Sequence, residues 1–221
     1  MILAPAILRS GETVLDTISI GMLPVGQVDG AVVILKEAFL DDPIFRFHFP
    51  NPQLRGKVLE IFFRDVIGAH IRFAHVYAAF DQGRLIGTAM WRPPGIHTAG
   101  LWTHLRGLLT RYRLLALSPR AAQKLLRGFA TLEATHPSIP HWYLFFIGVE
   151  SRQRSRGIGA RLMAPVLQVA DTTGAPCYLE TPFRQTLPFY RTLGYEVTSE
   201  PRPFAGAPRL WAMTRTPKAQ I

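Results

Sequence analysis

The segment Arg154-Ser155-Arg156-Gly157-Ile158-Gly159-Ala160 places two glycines and two arginines at the head of an amphipathic helical pattern, directly after an apolar run suited to a strand. That placement suits a phosphate group. The first N–H groups of a helix have no intrahelical partner, and the helix dipole adds partial positive charge there. Glycine lets an anion approach that backbone closely. Spacing then narrows the kind of phosphate loop. A Walker loop requires G-x-x-x-x-G-K-[ST], and no Lys followed by Ser or Thr occurs in the chain. A dinucleotide fingerprint requires a further glycine three residues beyond Gly159, and Leu162 stands there. The plain alternative is a glycine-rich turn that merely opens a helix.

Other chemistries find less support. A lone cysteine, Cys177, excludes an internal disulfide framework, and no C-x-x-C or His/Cys cluster suggests a metal site. Cys177 opens an apolar run without a histidine nearby in sequence and reads as a small core residue. The formal charge of +10 favours anionic partners. Its arginines are scattered, however, and the densest stretch, from Arg106 to Arg127, alternates Arg with Leu at helical spacing, which reads as a solvated basic helix face rather than a specific nucleic-acid site. A phosphate-bearing ligand accounts for part of the positive charge. Arg9, Glu12 and Asp16 interrupt the apolar start, and no uncharged run reaches the roughly 18 residues that span a bilayer. A cytoplasmic protein without membrane attachment is expected.

The elements that must position this loop follow from periodicity. One domain is expected over residues 1–221, with residues 1–13 a loose lead-in and Thr17 to Leu23 a first strand. Helical spacing runs from Asp29, a candidate N-cap, to Phe39, and again from Leu54 to Ala69. Asp41-Asp42-Pro43 reads as a turn. His75 to Phe80 and Arg84 to Trp91 form an antiparallel hairpin. Leu101 to Leu117 and Arg120 to Leu132, divided at Ser118-Pro119 with Ser118 as cap, make a helical insert over 99–135 between the third and fourth strands. His141 to Val149 reads as a buried strand, Ile158 to Asp171 as a helix, Cys177 to Glu180 as a strand and Leu187 to Leu193 as a short helix. Val197 and Leu210 to Thr214 supply the last strands. The sum is an α/β fold with a mixed sheet flanked by helices.

The pattern Val149-x4-Arg154-x2-Gly157-x-Gly159-Ala160 resembles the acetyl-CoA pyrophosphate loop of GNAT acetyltransferases. The flanking runs Trp142-Tyr143-Leu144, Gly148-Val149-Glu150, Leu179-Glu180-Thr181 and Pro188-Phe189-Tyr190-x3-Gly194-Tyr195-Glu196-Val197 are similar to the branch that includes puromycin-type acetyltransferases. Ala38-Phe39-x-Asp41-Asp42-Pro43 and Trp91-x-Pro93-Pro94-Gly95 resemble that branch's substrate-side elements. The resemblance spans about residues 15 to 214 and is weakest through Leu101 to Leu132. It departs at Thr186, where such relatives usually carry Asn four residues before the Tyr of the short helix.

The resemblance implies a GNAT-like, mostly antiparallel sheet and an acetyl-CoA-dependent N-acetyltransferase acting by direct transfer in a ternary complex, with CoA as product. It also leaves open a peptide or protein amine acceptor, or a catalytically weak CoA-binding sensor. Ile147, Val149, the segment from Arg154 to Ala160, Thr186 and Tyr190 are implied to hold the cofactor, with backbone N–H groups near Val149 on the thioester oxygen. Tyr190 is the candidate general acid, since a phenol with a pKa near 10 stays protonated at neutral pH. Core packing beside Phe189 is its other reading. Glu180 and Glu150, at strand ends, are candidate general bases, and an ordered water could replace either. Asp41, Asp42, Trp91 and Trp142 are the acceptor-side candidates. The expected partner is a small-molecule amine, with no specific nucleic acid, no membrane and no metal, and the chain is expected to be a monomer or homodimer.

Overall fold

The structure, a computed structural model, describes residues 17–71, 75–95, 112–203 and 206–218. The elements are β1 (Ile18–Met22), α1 (Val28–Phe39), α2 (Pro43–His48), α3 (Pro52–His70), β2 (His75–Asp81), β3 (Arg84–Arg92), α4 (described over 112–117), α5 (Pro119–Glu133), β4 (Trp142–Val149), α6 (Ile158–Thr173), β5 (Cys177–Thr181), α7 (Leu187–Thr192), β6 (Glu196–Ser199) and β7 (Trp211–Arg215). One sheet holds the described strands in the order β1-β2-β3-β4-β5-β7-β6. Only β4 and β5 pair in parallel; every other ladder is antiparallel. The expected mixed, mostly antiparallel sheet with helices inserted between the third and fourth strands is what the chain forms.

Helices cover both faces because the strands are apolar on both. On one face Ile158, Leu162, Met163 and Val166 of α6 pack on Ile86, Ala89, Trp91, Trp142 and Leu144. On the other, Val32 and Leu35 of α1, Leu59 and Phe63 of α3 and Leu125 of α5 cover Val76, Ala78, Met90 and Phe146. Gly148 permits a close approach: a Cβ there would stand 3.1 Å from both Ala38 Cβ and Leu35 Cδ2, so α1 lies directly on the end of β4.

Two features of β4 open the sheet. In the ladder with β3, Met90 faces Phe146 while Trp91 faces Leu144, which leaves Phe145 as an extra residue. Such a bulge bends its strand and increases the local twist. On the other side the β4–β5 ladder pairs only Trp142 with Cys177 and Tyr143 with Tyr178. Beyond Tyr143 the two strands diverge.

Local chemistry differs from the sequence expectation at three places. The N-cap of α1 is Gln27 rather than Asp29, which lies in the first turn and pairs with Arg64. Ser118 occupies the N-cap of α5 without a side-chain bond to the helix. Asp41-Asp42-Pro43 is more than a turn: Pro43 starts α2, and Asp42 caps it by accepting from the N–H groups of Ile44 at 2.8 Å and Phe45 at 3.2 Å. Proline suits the first helical position because its fixed φ is already helical and no bond is lost there. The 1–13 lead-in, and residues 99–111 of the insert, which carry most of the helix expected from Leu101 to Leu117, lie outside the described residues.

Candidate active site

The divergence of β4 from β5 opens a cavity of about 630 Å³. One wall is the β4 segment from Leu144 to Val149, and the opposite wall is Leu179 to Phe183 with Phe189 and Tyr190 of α7. Phe39, Phe45, Phe129, Leu132, Phe145 and Phe146 make one end apolar. Gln153, Arg154, Ser155, Gly157, Ile158 and Gly159 also line it. That second group is the loop singled out from the sequence.

The loop leaves the start of α6 without a side-chain cap. Ser155 and Gly157 both adopt left-handed conformations, with φ of 64° and 74°. At position 157 a side chain would be strained whatever the space around it, and glycine removes that cost. Gly157 is the N-cap of α6 and offers no side-chain acceptor, while the first backbone bond that closes the helix runs from Arg161 N to Gly157 O. The N–H groups of Ile158, Gly159 and Ala160 are therefore left for a ligand. A Cβ at Gly159 would come 3.2 Å from the Phe189 ring, so glycine there brings α7 against α6.

Tyr190 lines the cavity and is 7% exposed, its ring against those of Phe189 and Tyr195. Burial pushes its phenol up to about 12, so it stays protonated at neutral pH. Glu180 lines the same cavity. Its Oε1 lies 3.2 Å from His136 Nε2, with both side chains almost fully buried. Burial first, and then the nearby Glu180 carboxylate, hold the Tyr143 phenol well above its ordinary range. The same two causes raise Tyr178. Thr186 donates to Phe183 O at 2.8 Å and stands 3.0 Å from the Thr181 hydroxyl, so its polar atom is engaged locally.

Asp42 reaches the cavity from α2. Its corner is fixed by Arg55, which donates to the carbonyls of Leu40 at 2.5 Å, Phe49 at 2.7 Å and Pro50 at 3.0 Å. Burial raises the Asp42 carboxyl to about 6, although its two backbone hydrogen bonds oppose the shift.

The cavity thus brings together Asp42, Ile147, Val149, Arg154, Ser155, Gly157, Ile158, Gly159, Glu180, Thr186 and Tyr190 from the expected set. Six expected residues lie off its lining. Glu150 pairs with Arg84 at 2.8 Å, and Asp41 is largely exposed, 3.8 Å from Arg55. Arg156 faces Asp81 at 3.2 Å, and Ala160 lies one residue past the lining turn. Trp91 and Trp142 pack in the core beneath α6. Cys177 is fully buried, and burial pushes its thiol up to about 11, which fits the core role expected of it. Sequence reasoning missed His136; its only signal was a histidine in the Pro-rich stretch before β4. Among the described residues no group of three or more His, Cys, Asp or Glu could hold a metal ion, and no helix is long and apolar enough to cross a membrane.

Comparison with known proteins gives this geometry a context. Residues 37–195 match the family model described as Acetyltransferase (GNAT) family. An uncharacterized N-acetyltransferase of Schizosaccharomyces pombe is 27% identical over 174 residues, which span 75% of this chain and 69% of that protein. Among solved structures, one from Corynebacterium glutamicum described as histone acetyltransferase HPA2 and related acetyltransferase superposes with a TM-score of 0.71 at 22% identity, covering 92% of this chain and 98% of the other. An agmatine N-acetyltransferase gives 0.58 at 16% identity, over 91% and 100%. The PaiA N-acetyltransferase of Thermoplasma acidophilum, solved with coenzyme A, gives 0.55 at 12% identity, over 90% and 98%. These structural likenesses establish a shared fold.

Proposed function

We propose that this chain, an N-acetyltransferase that belongs to the GNAT family, moves the acetyl group of acetyl-CoA directly onto the primary amine of a small molecule, as the puromycin-type branch does. The family uses acetyl-CoA, and the likeness to a CoA-bound relative supports the same donor here. The observation that carries the reading is the cavity between the diverging β4 and β5, with an uncapped helix N-terminus along its lining and Glu180 and Tyr190 within it.

Each residue has a task that its surroundings suit. The N–H groups of Ile158, Gly159 and Ala160, with Arg154, hold the pyrophosphate, because the helix terminus offers unpaired donors and positive potential. Acetyl-CoA, when bound, supplies an activated acetyl thioester. The edge of β4 beyond Tyr143 has no ladder partner in β5, so backbone donors around Ile147 and Val149 are free to polarise a carbonyl. Glu180 takes a proton from the incoming ammonium, and Tyr190 holds the proton that the departing thiolate needs. The aromatic end of the cavity suits an amine with an apolar body, and the carboxylates of Asp42 and Glu180 attract its charge. The agmatine acetyltransferase likeness supports small amines as a class.

The test is thiol release from acetyl-CoA in the presence of 2-phenylethylamine or agmatine, with the acetylated amine identified by mass. Enzyme-dependent acetylation of either supports the reading. Binding of acetyl-CoA with no acetylated product from either amine would overturn it.

A further inference from the structure

The cavity draws its lining from both sides of the sheet. Leu144, Ile147, Val149 and Tyr190 belong to the apolar cluster that α6 covers. Phe39, Phe45, Phe129 and Phe146 belong to the cluster that α1, α3 and α5 build on the opposite face. Side chains alternate along a strand, so with Cys177 and Leu179 of β5 turned toward α6, Glu180 is turned away from it. The two sides meet in the gap between β4 and β5 beyond Tyr143. A donor held at the N-terminus of α6 enters that gap from one face, and an amine that meets both the donor and Glu180 comes from the other.

The inserted helix α5 supplies part of this second face, and its sequence explains how. Ala122, Leu125 and Gly128 are buried at helical spacing. Phe129 and Leu132 continue the same stripe, at the level where the core gives way to the cavity, and both line it half-buried. Their positions are held from behind. The Phe129 ring stacks on Phe62 with centroids 5.7 Å apart and planes 5° from parallel. Beside Leu132, Glu133 accepts from Arg92 at 2.6 Å, and Arg92 lies over the Tyr143 ring, 5.0 Å from its centroid. The end of α5 is thereby tied to β3 and β4. The polar counterpart of this apolar wall is Glu180, whose Oε1 is buried and accepts no hydrogen bond among the described residues. A buried acceptor left unpaired is costly, and an incoming N–H donor relieves that cost. An ammonium on a short chain that ends in an aromatic ring matches both features.

We propose that Phe129 and Leu132 of α5 select the acceptor, holding the ring of an arylalkylamine while its amine lies at Glu180. An amine without a ring leaves the two side chains facing water, and a ring larger than a phenyl collides with them. The contact is with a part of the acceptor that does not react. It is made in the ground state and the transition state alike, so its loss raises KM more than it lowers kcat. Removing apolar contact from a pocket typically changes discrimination by about tenfold or more.

This selection rests on the acetyl-transfer reading, and one set of assays separates the two. Steady-state kcat and KM are measured for 2-phenylethylamine, naphthylethylamine, ethylamine and agmatine, with the Kd for acetyl-CoA measured separately. The variants are Phe129→Ala and Leu132→Ala, which enlarge the pocket, and Leu132→Trp, which fills it. Because Phe129→Ala also removes the stack on Phe62, the Leu132 pair carries the test if that variant fails to fold. In both Ala variants the ratio of kcat/KM for 2-phenylethylamine over ethylamine should fall by about tenfold or more, mainly through KM. The ratio of naphthylethylamine over 2-phenylethylamine should rise in the Ala variants and fall in Leu132→Trp, with the Kd for acetyl-CoA within about twofold throughout. The same order of preference in every folded variant would overturn the selection and leave acetyl transfer standing. So would wild-type turnover of agmatine without turnover of 2-phenylethylamine. An equal loss for all the amines would reduce the two side chains to packing and overturn it as well. No wild-type turnover of any of these amines, despite acetyl-CoA binding, would remove the acetyl-transfer reading and the selection with it.

Discussion

Replacing Asp42 with Asn should make the protein more stable at pH 8 and leave its stability at pH 4 almost unchanged. Asp42 is 3% exposed and caps α2 through Ile44 N and Phe45 N, a task that Asn performs as well as Asp. The carboxyl also faces the apolar lining of the cavity, and burial raises it from 3.8 to about 6. Between those pH values the folded protein holds a proton that the unfolded chain has released, so stability declines as the pH rises through the window. The full loss, above about pH 6, is about 3 kcal/mol at 1.36 kcal/mol per pH unit. Asn carries no charge and escapes it. For a chain of this size that corresponds to a rise of about 6 to 12 °C in Tm at pH 8. Thermal and urea unfolding of both proteins at pH 4, 6 and 8 measures it, and taking the difference between them cancels the other titrating groups. If the Asn protein were no more stable than the wild type at pH 8, the argument from burial would fail. The same substitution should raise KM for a cationic amine, since a charge kept at an energetic cost beside a cavity is commonly kept for function.

Tyr190→Phe should lower kcat by about 10² to 10⁴ while leaving acetyl-CoA affinity within about twofold; because burial holds the phenol up to about 12, the wild-type pH profile should show no alkaline fall from this group until that range is approached. Gly148→Val should cost about 1 to 3 kcal/mol in urea unfolding, since its side chain would collide with Ala38 and Leu35 and lift α1 from β4. Arg215→Lys should cost about 2 kcal/mol, because Arg215 holds both oxygens of Asp171 at 2.8 and 2.7 Å and donates through Nε to Leu193 O at 2.9 Å. The hydrogen bonds from Arg215 hold the Asp171 carboxyl below its usual 3.8. That stabilisation is complete above this pH and is lost on acidification below it, which urea unfolding between pH 2 and 7 would show.

The features legible in the sequence are those whose chemistry is local. The helix-opening glycines at 157 and 159 follow one another within a single turn, and the placement of β4 before them is written in an unbroken apolar run, so the strand, loop and helix start could be read without a partner in view. Tyr190 was legible for a similar reason, since its short helix carries its own context. What escaped depends on contacts between distant segments. Glu150 and Glu180 both stand at strand ends, yet Arg84 pairs with the first across the sheet while the second turns into the cavity backed by His136. Trp91 and Trp142 look alike as aromatic strand residues whether they wall a pocket or fill a core. The bulge at Phe145 shifts the alternation of β4 and so decides which of its residues face the cavity. Asp41-Asp42-Pro43 reads in sequence as a turn, although a proline that follows one helix is equally suited to start the next.

The central claim is that the N-terminus of α6 holds the pyrophosphate of acetyl-CoA in the cavity between β4 and β5. Calorimetric titration of the wild type with acetyl-CoA, beside a Gly157→Glu variant whose fold is checked by circular dichroism, tests it most directly. A carboxylate at position 157 would bring negative charge to the helix terminus and force a side chain onto a left-handed backbone with φ of 74°. The account predicts micromolar binding by the wild type and its loss in the folded variant. Equal binding by both would contradict the placement of the pyrophosphate, and no binding by the wild type would contradict the use of acetyl-CoA.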